Sequence, residues 1–253
     1  MKRARFLARS PARFLLALLA MLLLPPAARA QESPLAWANA LRRTAGAAAV
    51  QPDPLLSETA HFWAVRLAAA GVLSHRGTDG STALDRYRSL GGTEVRVGEI
   101  LGAGARLGEI ERAWERSESH RNLALRSYWT HIGWGRGFAS GKEVWVVLFC
   151  QRLVEGLSIG ESADCVEIAG RFLEEDARNP FLLSGIERLT PASWEPGSRS
   201  FLFRLPRSRV AGYLRLGYGS ADGGFSITNA FTWPRGKESP GAAGRFPAPA
   251  ASP

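Results

Sequence analysis

Cysteine and histidine are both scarce, with two of the first and four of the second in 253 residues. No C-x-x-C pair occurs and no Cys/His group has zinc-finger spacing, which excludes a closed structural zinc site of that kind. The metallopeptidase pattern H-E-x-x-H is also missing, so that hydrolase signature does not support a reaction here. The chain shows no internal repeat. After Leu24 no apolar run is long enough to span a bilayer.

The first thirty residues read as an export signal. Lys2, Arg3, Arg5, Arg9 and Arg13 form a basic stretch, Phe14 to Leu24 an apolar stretch of eleven residues, and Pro25-Pro26 ends it. Ala28-Arg29-Ala30 supplies a small-x-small cleavage site, which predicts cutting after Ala30. No cysteine follows the cut, so no lipid anchor and no transmembrane anchor is expected on the mature chain, and its place is secreted or periplasmic. The whole chain carries a formal charge of +9, and residues 1–30 hold six positive groups and no acid, which leaves +3. The basicity belongs mostly to the signal, so no nucleic-acid partner is expected. In an oxidising compartment Cys150 and Cys165 form one disulfide or stay as two buried thiols, and spacing alone leaves both open.

Periodicity divides the remainder. Residues 33–45 repeat apolar positions at helical spacing, with Leu35, Trp37, Ala38 and Leu41 on one face. Asp53-Pro54 opens a longer helix, striped by Leu56, Ala60, Trp63 and Leu67, that stops at Gly71. Thr82 to Asp85 has the form of a capping box for a short helix ending at Gly91-Gly92. Residues 93–97 read as a short extended piece, residues 106–116 as an amphipathic helix, and Ser117 or Ser119 as the cap of another. Residues 129–135 and 143–149 read as strands. The second, E-V-W-V-V-L-F, is apolar on both faces and therefore central and doubly covered. Helices on both sides of such a sheet make an α+β, three-layer α/β/α sandwich. From about Val154 short strands separated by turns (165–172, 181–189, 200–205, 211–218, 225–233) predict a small β-sandwich. The expected organisation is a signal over 1–30, an α/β/α domain over 31–151, a β-rich domain over 152–234 and a disordered tail over 235–253 rich in Pro, Ala and Gly.

Several of these features fall in an order that resembles a known family. Asn39, Arg43 and Gly46 stand in the first helix, followed by Ser74-His75, Gly80, Asp85-Arg86 and Gly98-Glu99. Trp114, Ser117 and His120-Arg121 form W-x-x-S-x-x-H-R, and Tyr128, Ile132-Gly133, Gly135 and residues 145–149 complete the series. This resembles the CAP superfamily of cysteine-rich secretory, antigen 5 and pathogenesis-related-1 domains, in its bacterial SCP-like form. The chain departs from that pattern at Ile100, where Asn is usual, and at Ser117, where eukaryotic members carry Glu.

The resemblance implies that His75 and His120, 45 positions apart, face one another across a cleft beside Glu99, with Ser117 and Arg121 at its edge. Two neutral imidazoles and a carboxylate are the chemistry of an open site for zinc or another divalent ion, and equally of a hydrogen-bonded cleft that needs no cofactor. The first functional reading is a non-catalytic binding module for a small apolar molecule, a lipid, a cell-envelope component or a divalent ion. A metal-assisted hydrolase with Glu99 as base is the second. An adhesive or structural exoprotein acting through the β-rich region is the third. Ser117 and Ser119 next to His120 do not make a triad, which is assembled from distant segments. Trp63, Trp114, Trp129, Trp134 and Trp145 are expected mostly in the core, with Trp134 as a candidate wall of an apolar groove. That groove would suit the lipid or sterol binding implied by some members of the family.

Overall fold

The computed structural model describes residues 33–162, 164–210 and 212–234. The expected export signal and tail lie outside them. The first region holds five helices: α1 Pro34–Thr44, α2 Pro54–Ala70, α3 Ala83–Ser89, α4 Leu107–Arg116 and α5 Glu118–Ala124. It also holds strands β1 Gln51–Pro52, β2 Val97–Gly104, β3 His131–Ala139 and β4 Lys142–Cys150. These strands form one sheet in the order β1-β3-β4-β2. Strand β4 is therefore central, as its two apolar faces require. One face packs Val146 and Leu148 against Leu56, Trp63 and Leu67 of α2. The other packs Val147 and Phe149 with Ile100 against Trp37, Ile110 and Trp114. The result is the α/β/α sandwich.

Local chemistry sets the helix ends. The Asp53 carboxylate accepts from the backbone N–H of Leu56 at 2.7 Å, Pro54 occupies the first turn, and Gly71 closes α2 with φ of 70°. The capping box of α3 is complete, with Thr82 and Asp85 exchanging bonds. Helix α2 lies directly on β3 because glycine recurs at every second position of that strand. A Cβ at Gly133, Gly135 or Gly137 would come within 2.3, 2.1 or 2.2 Å of helix backbone atoms.

Several boundaries differ from the sequence reading. Strand β2 runs through Ile100-Leu101-Gly102-Ala103, beyond the short piece expected at 93–97. Its small residues weaken the alternation that marks a strand, and Gly102 is needed so that Ile110 and Trp114 can pack over it. In the N-x-x-R stretch the buried arginine is Arg42, not Arg43. Arg42 donates to the carbonyls of Ala48, Ala124, Arg126 and Trp129 and ties α1 to the chain around α5, whereas Arg43 is exposed. Neither Ser117, at the N-cap of α5, nor Ser119, inside it, caps the helix through its side chain. Their hydroxyls bond to each other at 3.1 Å.

Residues 154–233 form two antiparallel four-stranded sheets, β5-β6-β10-β9 and β12-β11-β7-β8. Their strands are β5 Val154–Glu161, β6 Cys165–Phe172, β7 Arg178–Ser184, β8 Glu187–Leu189, β9 Ser193–Glu195, β10 Ser200–Pro206, β11 Gly212–Gly219 and β12 Phe225–Trp233. Val166, Ile168, Phe172 and Phe203 of one sheet meet Leu182, Leu214, Leu216 and Phe231 of the other in one core. The strand expected over 181–189 is a hairpin turned at Gly185, with φ of 58°. Strand β5, unforeseen, alternates Val154, Gly156, Ser158 and Gly160 with Glu155, Leu157, Ile159 and Glu161, so its glycines leave little sequence signal.

The disulfide between Cys150 and Cys165 is not formed, and both thiols are free. Cys150 is fully buried beside Tyr87 and Leu148 in the α2-side core. Cys165 begins β6 in a different sheet, its sulfur 2.9 Å from the Ser162 hydroxyl.

Candidate functional site

A polar cluster of the α/β/α region is built on Glu99 of β2. Residue alternation along β2 turns this carboxylate toward α3 and the segment after α2, where only 9% of the residue is exposed. Its Oε2 accepts from Nη2 of Arg86 at 2.7 Å and its Oε1 from Nδ1–H of His75 at 2.8 Å. Arg86, on α3, is 1% exposed and lies with its guanidinium 3.9 Å from the Trp63 ring centroid. It also donates to the carbonyls of Ser81 and His75. The Trp63 indole donates to the Ser74 carbonyl at 3.1 Å, so this loop is held from both sides.

Helix, strand and loop thus converge on one exposed imidazole. The His75 side chain is 59% exposed, against 5% for Glu99. With Nδ1–H given to the carboxylate, Nε2 of neutral His75 is an acceptor facing outward chemistry. His120, on α5, is half-buried and close enough to His75 to feel its charge. Its pKa is held below the ordinary imidazole value, first by burial and then by His75. Its Nδ1 is buried without a hydrogen-bond partner. Ser117 is half-buried at the start of α5, and Arg121 is exposed on the same helix. Arg86 and Trp63 are the supports that sequence reasoning left out of the site. The Asp85-Arg86 pair was visible, but only the packing of α3 on α2 shows what the guanidinium does.

The residues do not fit a three-ligand metal site as they stand. Among the described residues no three His, Cys, Asp or Glu side chains are arranged to hold an ion. Glu99 has both oxygens engaged, one by a buried cation that would repel a metal at close range.

A separate groove of about 910 Å³ lies between the starts of α1 and α4, over the sheet. Half-buried Trp134 and Trp145 floor it, with Leu35, His61, Arg136 and Glu143 around them. Trp63, Trp114 and Trp129, also expected in the core, are buried with their N–H groups bonded to backbone carbonyls.

The model of the cysteine-rich secretory protein family matches residues 35–150. The chain is 28% identical over 112 residues to the uncharacterized protein YkwD of Bacillus subtilis (strain 168), covering 44% of this chain and 43% of the relative, so it spans less than half of that protein's length. Among solved structures it is similar to an outer surface protein from Borrelia burgdorferi, with 24% identity, a TM-score of 0.44, and 47% and 89% of the two chains covered. An extracellular SCP-domain protein from Bacillus anthracis str. Ames gives 21% identity, a TM-score of 0.40 and 46% and 38% coverage. The chain carries a bacterial CAP-superfamily domain, followed by a β-rich region. Among the described residues no helix is long and apolar enough to cross a membrane.

Proposed function

We propose that the chain is an exported, non-catalytic binding module. Its CAP domain offers a shallow cleft at His75, Glu99 and His120 to a small molecule or cell-envelope component. The observation that carries this reading is the arrangement around Glu99. A fully buried arginine fixes the carboxylate, the carboxylate fixes an exposed imidazole, and a second imidazole lies close by. Such a cleft recognises hydrogen-bonding groups without reorganising. It calls for no metal, because both Glu99 oxygens already accept hydrogen bonds, one of them from a buried guanidinium.

The test is co-sedimentation of the chain with purified peptidoglycan sacculi and with phosphatidylglycerol vesicles. The H75A/H120A double variant should keep its circular dichroism spectrum and lose most of the bound fraction. Equal partition of the double variant and the parent would overturn the assignment. A second reading, favoured by the paired half-buried indoles, places an apolar ligand in the Trp134–Trp145 groove. Oleate should then quench indole fluorescence in the parent and not in W134S.

A further inference from the structure

Strand β3 carries a backbone edge that the sheet leaves open. Strand β1 pairs with it only at His131 and Ile132. The Asp53 N–H donates to the Ile132 carbonyl at 2.8 Å, and Pro54 then takes the chain into α2. The next outward N–H, that of Trp134, donates to the Ser57 hydroxyl at 3.4 Å. Outward backbone groups recur at every second residue of an antiparallel strand, so those of Arg136 and Phe138 follow on the same side. Among the described residues no strand lies there, because the sheet order is β1-β3-β4-β2 and β1 has already ended. Strand β3 runs on to Ala139, and Ser140 and Gly141, with φ of 52° and 73°, then turn the chain into β4.

This edge lacks the usual protection. Exposed edges are ordinarily blunted by a free charge, a proline or a bulge. Strand β3 has no proline, and its register with β4 is unbroken. The charge on the open stretch, Arg136, is paired with Glu143 at 3.1 Å and leans over the Trp145 ring, 5.8 Å from its centroid. Phe138 is 68% exposed. The groove of about 910 Å³ runs past the same edge: Gly135 and Arg136 line it between Ser57 and His61 of α2 and the indoles of Trp134 and Trp145. Gly133, Gly135 and Gly137 face the helix, so by alternation Trp134, Arg136 and Phe138 share the opposite face.

We propose that the open edge of β3 binds an extended peptide as an added antiparallel strand. Arg136 and Phe138 each offer an N–H and a C=O, repeated about 6.8 Å apart. Another extended backbone matches that ladder of donors and acceptors. A peptide residue opposite Arg136 places its side chain between Trp134 and Phe138, and one opposite Phe138 covers that ring. The partner therefore carries apolar or aromatic residues at alternate positions. Glu143 already meets the charge of Arg136, so the partner needs no charge there. The inference shares the Trp134 wall with the apolar-ligand reading above and goes beyond it, because it names a partner that also takes up the backbone edge. It is independent of the His75–Glu99–His120 cleft.

The experiment is an NMR titration of the chain with the peptide Ac-KTFTFTK-NH2 and with two N-methylated forms of it. One form is methylated at both phenylalanine amides, which face β3 in this pairing. The other is methylated at the two threonines that follow them, whose amides face away. The unmodified peptide should shift the backbone amides of Arg136 and Phe138 and slow their exchange with deuterium. The phenylalanine-methylated form should bind roughly tenfold more weakly, the scale of two lost hydrogen bonds. The threonine-methylated form should bind about as tightly as the unmodified peptide. Equal weakening by the two methylation patterns, or shifts centred on residues 75 and 120, would overturn the assignment. Oleate quenching without saturable peptide binding would overturn strand addition and leave the apolar-ligand reading standing. A concentration-dependent shift of the Arg136 and Phe138 amides without peptide would give the edge to a second copy of the chain and overturn it too. Every arm uses the parent chain, so no variant has to fold.

Discussion

Glu99 shows how one residue organises a site. Its carboxylate faces a guanidinium that is buried from water, so removing its charge strands Arg86. E99Q should lower the unfolding free energy by about 3–5 kcal/mol, read from urea denaturation, because an unpaired buried charge is expensive. A loss under about 1 kcal/mol would mean that the pair is solvated and supports nothing. His120 carries the pH dependence. Its folded-state pKa lies below the ordinary 6.5, so the unfolded chain takes up the proton first as pH falls. The stability linked to this histidine is complete above 6.5, declines through the window between that value and the folded pKa, and is constant below it. An NMR titration should place the His120 midpoint under 6.5, and H75A should recover only part of the shift because burial is the larger cause.

At the scale of elements, the pairing of α2 with β3 is the most constrained contact in the fold. Gly133, Gly135 and Gly137 face helix backbone at distances that leave no room for a methyl group. G135A should cost about 3 kcal/mol, since the obstacle is backbone and not a flexible side chain. An unchanged melting temperature would show that the helix can lift. Helices α2 and α3 were legible because Asp53, Pro54, Gly71 and the Thr82–Asp85 box mark their ends in one dimension. Strand β2 was half-read because Gly98, Gly102 and Gly104 interrupt its apolar alternation. Those glycines are there for contacts with Trp129, Ile110 and Trp114, which no local pattern announces.

For the whole molecule, the seam between CAP domain and β-sandwich is a set of polar contacts. The Ala230 N–H donates to the Thr93 carbonyl at 2.7 Å, and Asn229 reaches the Thr93 hydroxyl. T93A and N229A should each cost about 1 kcal/mol, and the double variant little more than one of them, because both remove the same side-chain bond. Strict additivity would break this account. The thiols give a second check on assembly. A thiol reagent should label Cys165 in the native chain and reach Cys150 only after unfolding, since burial both shields the Cys150 sulfur and disfavours its thiolate.

The sequence by itself determined the helix ends, the doubly covered central strand and the series of small features that marks a CAP domain, because capping, periodicity and order along the chain are local properties. It also named His75, Glu99 and His120. What only the tertiary structure decided is what each of them touches. That includes the buried Arg86 behind Glu99, Arg42 in place of Arg43, and two free thiols in separate sheets. Each of these depends on groups far apart along the chain meeting in a region of low water access, where a single unmatched charge or bond outweighs any local preference.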